Sequence, residues 1–99
     1  MISRQWRGLA KAACAAEYEE HLRTETFPAL NTMPGFIDAS MMKRPFDHAV
    51  EFLVVTRWES LESIVRFAGA DLEAAVVPAK VQAMMVEYDT RVRHYEIVE

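Results

Sequence analysis

Apolar and polar residues alternate along four stretches of this chain, with the two-residue period that is typical of a β-strand. The stretches cover residues 2–10, 36–44, 49–58 and 90–98. The third is the most apolar, and its run FLVV at residues 52–55 predicts a strand that is largely buried. It ends at Trp58, where a helical pattern begins at once.

Two helical segments are predicted between these strands, because their apolar residues recur at helical spacing. The first covers residues 12 to 27, and Pro28 should end or kink it, since proline removes a backbone donor. The second begins after Ser60, which is well placed as an N-cap, and Gly69 is placed to end it. Its predicted apolar stripe consists of Leu61, Ile64, Val65 and Ala68.

Short connections complete the pattern. The sequence MPG at residues 33–35 predicts a turn, and residues 45–48 predict a hairpin connection. Residues 71–77 and 78–85 are predicted as two further short helical pieces. The order β, α, β, β, α, β predicts an α+β fold of the ferredoxin-like kind, with a four-stranded antiparallel sheet and both helices on one face. We expect one domain over residues 1–99.

The third and last predicted strands carry apolar residues on both faces. In the third strand, Phe52, Val54 and Trp58 share one face, and Leu53 and Val55 share the other. Helices from this chain would cover only one face of the sheet, so the other face needs a separate cover. A second copy of the chain is the commonest way to supply it. We therefore predict a homodimer whose sheets pack face to face.

Composition narrows the expected partners and compartment. The formal net charge is −4, and the chain has no basic block, so nucleic acid is not an expected partner. Arg4 and Trp6 interrupt the apolar core that a signal peptide needs, and no apolar run approaches membrane-spanning length. We expect a cytoplasmic protein that does not enter a membrane. Cys14 is the only cysteine, which excludes an internal disulfide, and the spacing of the three histidines predicts no metal site.

Four motifs carry a resemblance to a known family. They are the junction FLVVTRWES, the ending FAG of the helix that follows it, the turn MPGF, and the closing HYEIV. Together they resemble the antibiotic biosynthesis monooxygenase family over nearly the whole chain, which implies a dimeric α+β barrel. The wider superfamily contains cofactor-free oxygenases, haem-degrading enzymes, isomerases and proteins of unknown role, so the resemblance implies a fold more specifically than a reaction.

The haem-degrading branch of that superfamily has a tryptophan in the second helix, a haem-ligating histidine shortly after it, and an asparagine in the first strand. Here the helix position corresponds to Phe67, residues 74–78 read AAVVP, and no histidine lies between His48 and His94. The first predicted strand contains no asparagine. Because axial ligation of haem needs a suitable side chain, we do not expect haem degradation, and we expect no cofactor.

A cofactor-free oxygenase needs a base, a cation or donor for an oxyanion, and a dry pocket. By residue type, His94 is the best candidate for the base, and it shares a strand face with Glu96. The alternative for His94 is a buried histidine with a structural hydrogen bond. The candidates for binding a small apolar or aromatic ligand are Trp58, Trp6, Arg4, Phe67, His21 and Tyr88. Each also has a structural alternative, since aromatic residues and arginines anchor cores and interfaces.

Three functions stay open at this level. The first is a cofactor-independent monooxygenase acting on a phenolic or polycyclic aromatic small molecule, and the resemblance places it ahead of the others. The second is a non-catalytic dimer that binds a small apolar ligand. The third is an isomerase or lyase of the same superfamily, which uses acid and base but no oxygen.

Overall fold

A single antiparallel sheet forms one layer of the structure, a computed structural model that describes residues 1–99. Its strands are β1 (Ile2–Lys11), β2 (Phe36–Phe46), β3 (Ala49–Trp58), β4 (Met85–Tyr88) and β5 (Arg93–Glu96). The order across the sheet is β2-β3-β1-β4, and β5 also pairs with β1. The helices are α1 (Ala15–His21), α2 (Phe27–Leu30), α3 (Leu61–Ala68) and α4 (Ala79–Gln82). The predicted α+β, ferredoxin-like fold is confirmed.

The last strand of that pattern is divided into two. Both β4 and β5 pair with β1, so that Gly8 lies opposite Tyr88 and Arg4 lies opposite His94. The prediction of one strand over residues 90–98 is therefore wrong in its extent, and the sheet has five strands. Four residues of β4 are too short a pattern to recognise, because their pairing depends on β1 at the other end of the chain.

The first helical segment continues past Pro28 to Leu30, so of the two predicted effects of this proline, ending the helix is wrong. A 3-10 turn (Ala12–Cys14) precedes α1, and a π-helical turn (Leu22–Thr26) joins α1 to α2. In the π turn the backbone N–H of Phe27 donates to the carbonyl of Leu22, one residue further back than in an α-helix. Pro28 consequently lies in the first turn of α2, where a missing N–H costs least.

The predicted caps of α3 are both present. The side chain of Ser60 accepts a hydrogen bond from the backbone N–H of Ser63 at 3.3 Å, and the Ser63 hydroxyl in turn accepts from the backbone N–H of Ser60. Gly69 follows the helix with a φ of 84°, a backbone conformation that residues other than glycine rarely adopt. These contacts fix where the helix begins and ends.

The buried face of α3 differs from the predicted stripe. Ile64 is fully buried, but Leu61 and Val65 are 43% and 44% exposed, so the prediction is wrong at these two positions. The helix packs through the edge that carries Ile64 and Phe67, and the Phe67 ring stacks on Trp58 with a centroid separation of 6.0 Å. Helical spacing cannot choose between adjacent apolar residues when the helix has only eight residues.

The segment after α3 is not helical over residues 71–77, which overturns the predicted helical piece: residues 71–74 form a turn in which the N–H of Ala74 donates to the carbonyl of Asp71 at 3.1 Å. Ala74 forms an isolated antiparallel bridge with Arg91. The backbone N–H of Ala75 donates to the backbone carbonyl of Thr90 at 2.9 Å. The backbone N–H of Val92 donates to the backbone carbonyl of Glu73 at 2.8 Å. These bonds to a distant segment replace the local bonds of a helix. Of the piece predicted at residues 78–85, only α4 is α-helical.

The core lies between the sheet and the helices in two clusters. The larger one surrounds Phe52 and Tyr18, whose rings meet edge to face at a centroid separation of 4.9 Å. The smaller one surrounds Trp58, which is fully buried and whose indole N–H donates to the Thr56 hydroxyl at 2.9 Å. The other buried members are Ala10, Ala15, Leu22, Val81, Met84 and Met85 in the larger cluster, and Leu30 and Ile64 in the smaller.

The opposite face of the sheet carries no helix from this chain. Leu53 and Val55 lie there half-buried, and Met42 beside Leu53 in the register is exposed. Ion pairs border these apolar side chains, with Glu51 held by Arg7 and Arg44, and Asp38 held by Arg57. None of the helices is both long and apolar enough to cross a lipid bilayer.

Candidate active site

A cleft opens on the helical side of the sheet, between the first helical segment and the extended residues 76–78. Its volume is about 80 Å³, and ten of its fifteen lining residues are hydrophobic. Polar groups that reach such a lining interact strongly, because little water screens them. The lining residues are Arg4, Trp6, Tyr18, His21, Leu22, Thr26, Leu30, Val54, Thr56, Phe67, Val76, Val77, Pro78, Val81 and Val92.

His21, at the end of α1, lines the cleft with one ring nitrogen held by the protein. Its Nδ1 lies 3.1 Å from a Glu25 carboxylate oxygen, which also accepts from the Lys80 ammonium at 2.6 Å. Lys80, and then His21, lower the pKa of Glu25, so this carboxylate is ionised and can only accept. The Nδ1 atom therefore donates to this carboxylate, and in the neutral form of the ring Nε2 is the acceptor.

The Nε2 atom of His21 has no hydrogen-bond partner within the chain. It is not completely buried, because every completely buried side-chain nitrogen or oxygen has a partner, and His21 lines the cleft. A neutral imidazole with an accessible acceptor and a carboxylate behind it has the arrangement of a general base.

Tyr18 stands next to His21 on the same helical face. The two rings are nearly parallel, at 22°, with a centroid separation of 6.5 Å. Burial raises the pKa of Tyr18 far above its usual value, so the phenol keeps its hydrogen and acts as a donor. Like Nε2 of His21, its hydroxyl has no partner within the chain and is not completely buried, and Tyr18 also lines the cleft.

Arg4 enters the cleft from β1 and is only 4% exposed. Its guanidinium donates to the backbone carbonyls of Leu72 at 2.6 Å and Ala74 at 2.9 Å, which ties the extended segment to the sheet. The ring of Phe67 lies 5.4 Å from its Cζ, within the range of a cation–π contact. Burial lowers the pKa of Arg4 to about 10, so the side chain remains a cation at neutral pH.

His94, the predicted base, lies behind Arg4 rather than in the cleft lining. Its Nε2 is 2.9 Å from Arg4 Nη1, and because a guanidinium only donates, this nitrogen accepts and carries no hydrogen. Burial, and then the charge of Arg4, lower the pKa of His94, and Glu73 opposes part of this effect. The acceptor nitrogen of His94 is thus already occupied. Glu96, which the sequence places on the same strand face, is exposed at the end of β5.

Two aromatic side chains form walls of the cleft. Trp6 is oriented by its indole N–H, which donates to the carbonyl of Asp89 at 2.8 Å. Its ring lies over Gly8, where a Cβ atom would come within 2.3 Å of Trp6 Cη2. Phe67 reaches the cleft from α3. A flat apolar molecule between such rings would be held by dispersion and by the exclusion of water.

Two predicted ligand-binding residues lie outside the lining. Trp58 is completely buried in the smaller core cluster, and it supports the lining residues Phe67, against which it stacks, and Thr56, to which its indole N–H donates. Tyr88 packs against the larger core cluster from β4. The structure thus brings Arg4, Trp6, His21 and Phe67 together, and leaves Trp58, Tyr88 and His94 outside the cleft lining.

Sequence reasoning missed the polar groups that accompany His21. Tyr18, His21 and Glu25 are spaced three and four residues apart, which places them on one helical face. That spacing was available as a signal, but Tyr18 also fits the apolar stripe and Glu25 fits a solvent-exposed face. No group of three or more His, Cys, Asp or Glu side chains in residues 1–99 is arranged to hold a metal ion.

Comparison with known proteins agrees with this architecture. A sequence profile of the family described as antibiotic biosynthesis monooxygenase matches residues 1–78. The chain belongs to the antibiotic biosynthesis monooxygenase family. The resemblance inferred from the FLVVTRWES and MPGF motifs is therefore confirmed. A search of curated protein sequences gives no match.

Solved structures of similar fold share little sequence with this member of the antibiotic biosynthesis monooxygenase family. A Bacillus cereus protein assigned to antibiotic biosynthesis monooxygenases has a TM-score of 0.70 and 18% identity, covering 100% of this chain and 93% of the other. The haem degrader MhuD from Mycobacterium tuberculosis, with two haems bound in its active site, has a TM-score of 0.64 and 20% identity, covering 100% and 97%. A MhuD variant with two manganese protoporphyrin IX groups per active site has a TM-score of 0.58 and 20% identity, covering 100% and 96%. At these identities the likeness concerns the fold alone.

Proposed function

We propose that this protein is a cofactor-independent monooxygenase that acts on a small phenolic compound, with His21 rather than His94 as the base. One observation carries the proposal: His21 and Tyr18 line one largely apolar cleft, and neither Nε2 of His21 nor the Tyr18 hydroxyl has a hydrogen-bond partner within the chain. His21 has the free acceptor that a base needs, whereas the acceptor of His94 is bonded to Arg4. Membership of the family supports the class of reaction.

The reaction divides between the two groups and dioxygen. His21 accepts the phenolic proton, and the Tyr18 hydroxyl donates to the phenolate oxygen that forms. The electron-rich phenolate ring reduces dioxygen, a ring carbon forms a bond to one oxygen atom, and the O–O bond then breaks. The ring leaves as a quinone and the second oxygen leaves as water, so the phenol plus dioxygen balances the quinone plus water without an added reductant.

Oxygen uptake by the purified protein tests the proposal. A panel of phenols and hydroquinones should include substrates that consume oxygen above the buffer rate in the presence of a chelator and without added flavin. With ¹⁸O₂, one labelled atom should appear in the quinone and one in water. The absence of any uptake above buffer across the panel would reject the proposal.

The same pair of groups would also serve an isomerase or lyase, because a base and a donor next to each other can move a proton without oxygen. Strict anaerobiosis separates the two functions. A monooxygenase stops when oxygen is removed, whereas an isomerase or lyase continues to convert its substrate. A copurified ligand that is never converted would instead indicate the non-catalytic binding function.

The segment beside the cleft offers haem no iron ligand. Residues 74–78 are alanine, valine and proline, which cannot ligate iron. We therefore propose that haem is not a substrate of this protein. Titration with haemin should give no saturable shift of the haem absorption band, and a stoichiometric shift that is lost in His21→Gln would contradict this.

We further propose that two copies pair through the helix-free face of the sheet. Leu53, Val55 and Met42 form an apolar centre there, bordered by ion pairs, and this arrangement is typical of an interface with a polar rim. Leu53→Glu should give a monomer by light scattering. Val65→Glu, on the exposed side of α3, should remain a dimer as the control. A monomeric wild type would reject this pairing.

A further inference from the structure

We propose that the cleft binds an aromatic ligand that carries a carboxylate, and that Arg4 is the residue that recognises this anionic group. Arg4 would then hold the same substrate whose phenol faces His21, so the proposal rests on the function proposed above. The substrate class becomes an aromatic acid with a phenolic hydroxyl, rather than a neutral phenol.

The charge of Arg4 has no anionic partner within the chain. Arg4 is 4% exposed, and the acceptors of its guanidinium are the carbonyls of Leu72 and Ala74 and the ring of His94. None of these carries a negative charge. Burying a cation in this way is costly unless an anion compensates it, and charged side chains are rarely this buried without one.

The nearest carboxylates belong to a different arginine. Asp71 and Glu73 lie on the same extended segment as the carbonyls that Arg4 contacts. Arg91 binds both oxygens of Asp71, at 2.9 and 3.0 Å, and lies 3.5 Å from Glu73. These carboxylates are therefore already paired at the surface, and the compensating anion for Arg4 must come from elsewhere.

Two donors of Arg4 remain uncommitted. A guanidinium has five N–H groups, and three are used, two on Nη1 and one on Nη2. The Nε atom has no partner in the chain and is not sealed, so it reaches open space. The uncommitted donors thus lie on Nε and Nη2, which together form the edge that an arginine presents to both oxygens of a carboxylate.

The surroundings of Arg4 fit the aromatic part of such a ligand. Trp6 and Phe67 supply flat apolar walls, and Val54 and Val92 also line the cleft. An ion pair formed among these side chains would be screened less than one at the surface. The contact of Phe67 with the guanidinium holds the cation in place before a ligand arrives.

Binding of benzoate and benzamide tests the charge of the ligand without requiring turnover. The two probes have nearly the same shape, and only benzoate is an anion. Calorimetry with the wild-type protein should give a Kd for benzoate at least tenfold below that for benzamide, and benzoate should also quench the fluorescence of Trp6. Equal affinity for the two probes, tighter binding of benzamide, or binding of neither would overturn the proposal.

Two variants test whether the preference for benzoate depends on Arg4. Arg4→Gln should abolish the preference for benzoate, whereas Arg66→Gln, which removes the same charge from the exposed side of α3, should keep it. A preference that survives in a folded Arg4→Gln protein would overturn the proposal. If Arg4→Gln does not fold, the wild-type comparison still decides, because it needs no variant.

The proposed function and this anion site fail separately. Benzoate lacks the phenol that His21 would deprotonate, so its binding does not depend on catalysis. Benzoate binding together with no oxygen uptake on any hydroxybenzoate would reject the monooxygenase and retain the anion site. The opposite result is oxygen uptake that is as fast on neutral phenols as on hydroxybenzoates, with benzoate bound no better than benzamide. That result would reject the anion site and retain the monooxygenase.

Discussion

The protein holds two histidines near one cleft in opposite ways. His21 donates from Nδ1 to a carboxylate, which leaves its acceptor nitrogen facing open space. His94 accepts at Nε2 from a cation, which occupies the acceptor and disfavours the charged ring. The same side chain is therefore prepared to take a proton in one place and prevented from doing so in the other. The partner of a histidine decides its chemistry more than its type does.

The largest effect should come from replacing the two histidines in turn. His21→Gln should lower kcat/KM for oxygen uptake about 100-fold or more, because a positioned base contributes about 10²–10⁴-fold. His94→Gln should change it less than about fivefold, since its glutamine oxygen can still accept from Arg4. Steady-state kinetics with a phenol that the wild type oxidises measures both. The reverse order of effects would restore His94 as the base.

Tyr18→Phe should have the next largest effect. The change keeps the buried ring and removes only the donor, so we expect kcat to fall about 10-fold to 100-fold with little loss of stability. Tyr95→Phe, at an exposed position on β5, is the matched control and should leave kcat unchanged. If Tyr18→Phe behaves like that control, the phenol does not contact the reacting oxygen.

Glu25 is a positioning residue, and its replacement should have a smaller effect. Glu25→Ala should lower kcat about 10-fold, because His21 loses the acceptor that fixes its tautomer, and Glu25→Gln should recover most of the loss. Lys80→Met removes the other partner of Glu25. It should change kcat by less than about threefold, because exposed ion pairs are weak. Failure of glutamine to rescue, with an equal loss in Lys80→Met, would assign Glu25 to the ion pair alone.

The smallest effect concerns stability and pH at His94. Its pKa is lowered in the folded protein, so the unfolded chain binds a proton first as the pH falls below about 6.5. The free energy of unfolding should therefore decline from that pH down towards the folded pKa, and less steeply in His94→Gln. Chemical denaturation from pH 7 to pH 5 measures the slope. His48→Gln, at a fully exposed position, should keep the wild-type slope, and an unchanged slope in His94→Gln would contradict the expectation.

Much of the scaffold could be predicted from sequence because it depends on local signals. The alternating pattern of β3 and the Ser60 cap give the bounds of a strand and the start of a helix. By contrast, β4 and the non-helical residues 73–75 depend on bonds to β1 and to residues 90–92, which no local pattern encodes. Non-local pairing therefore decides the elements that local propensity misassigns.

The candidate site divides along the same line. Arg4, Trp6, His21 and Phe67 were expected near a ligand from residue type, and all four line the cleft. The choice between the histidines could not be made from sequence, because it depends on which partner each ring nitrogen meets across the fold. Trp58 shows the same limit, since a junction tryptophan can face a pocket or fill the core, and here it is fully buried.

The π turn at Leu22–Thr26 holds one residue more than an α-helical turn needs. Because the wider turn absorbs the extra residue, the residues on its two sides keep the faces they would have in an unbroken α-helix. Deleting a single residue there would restore α-helical spacing and leave Tyr18, His21 and Leu30 directed as they are now. Related chains that lack the extra residue should consequently keep the same core and differ only in the backbone of this turn.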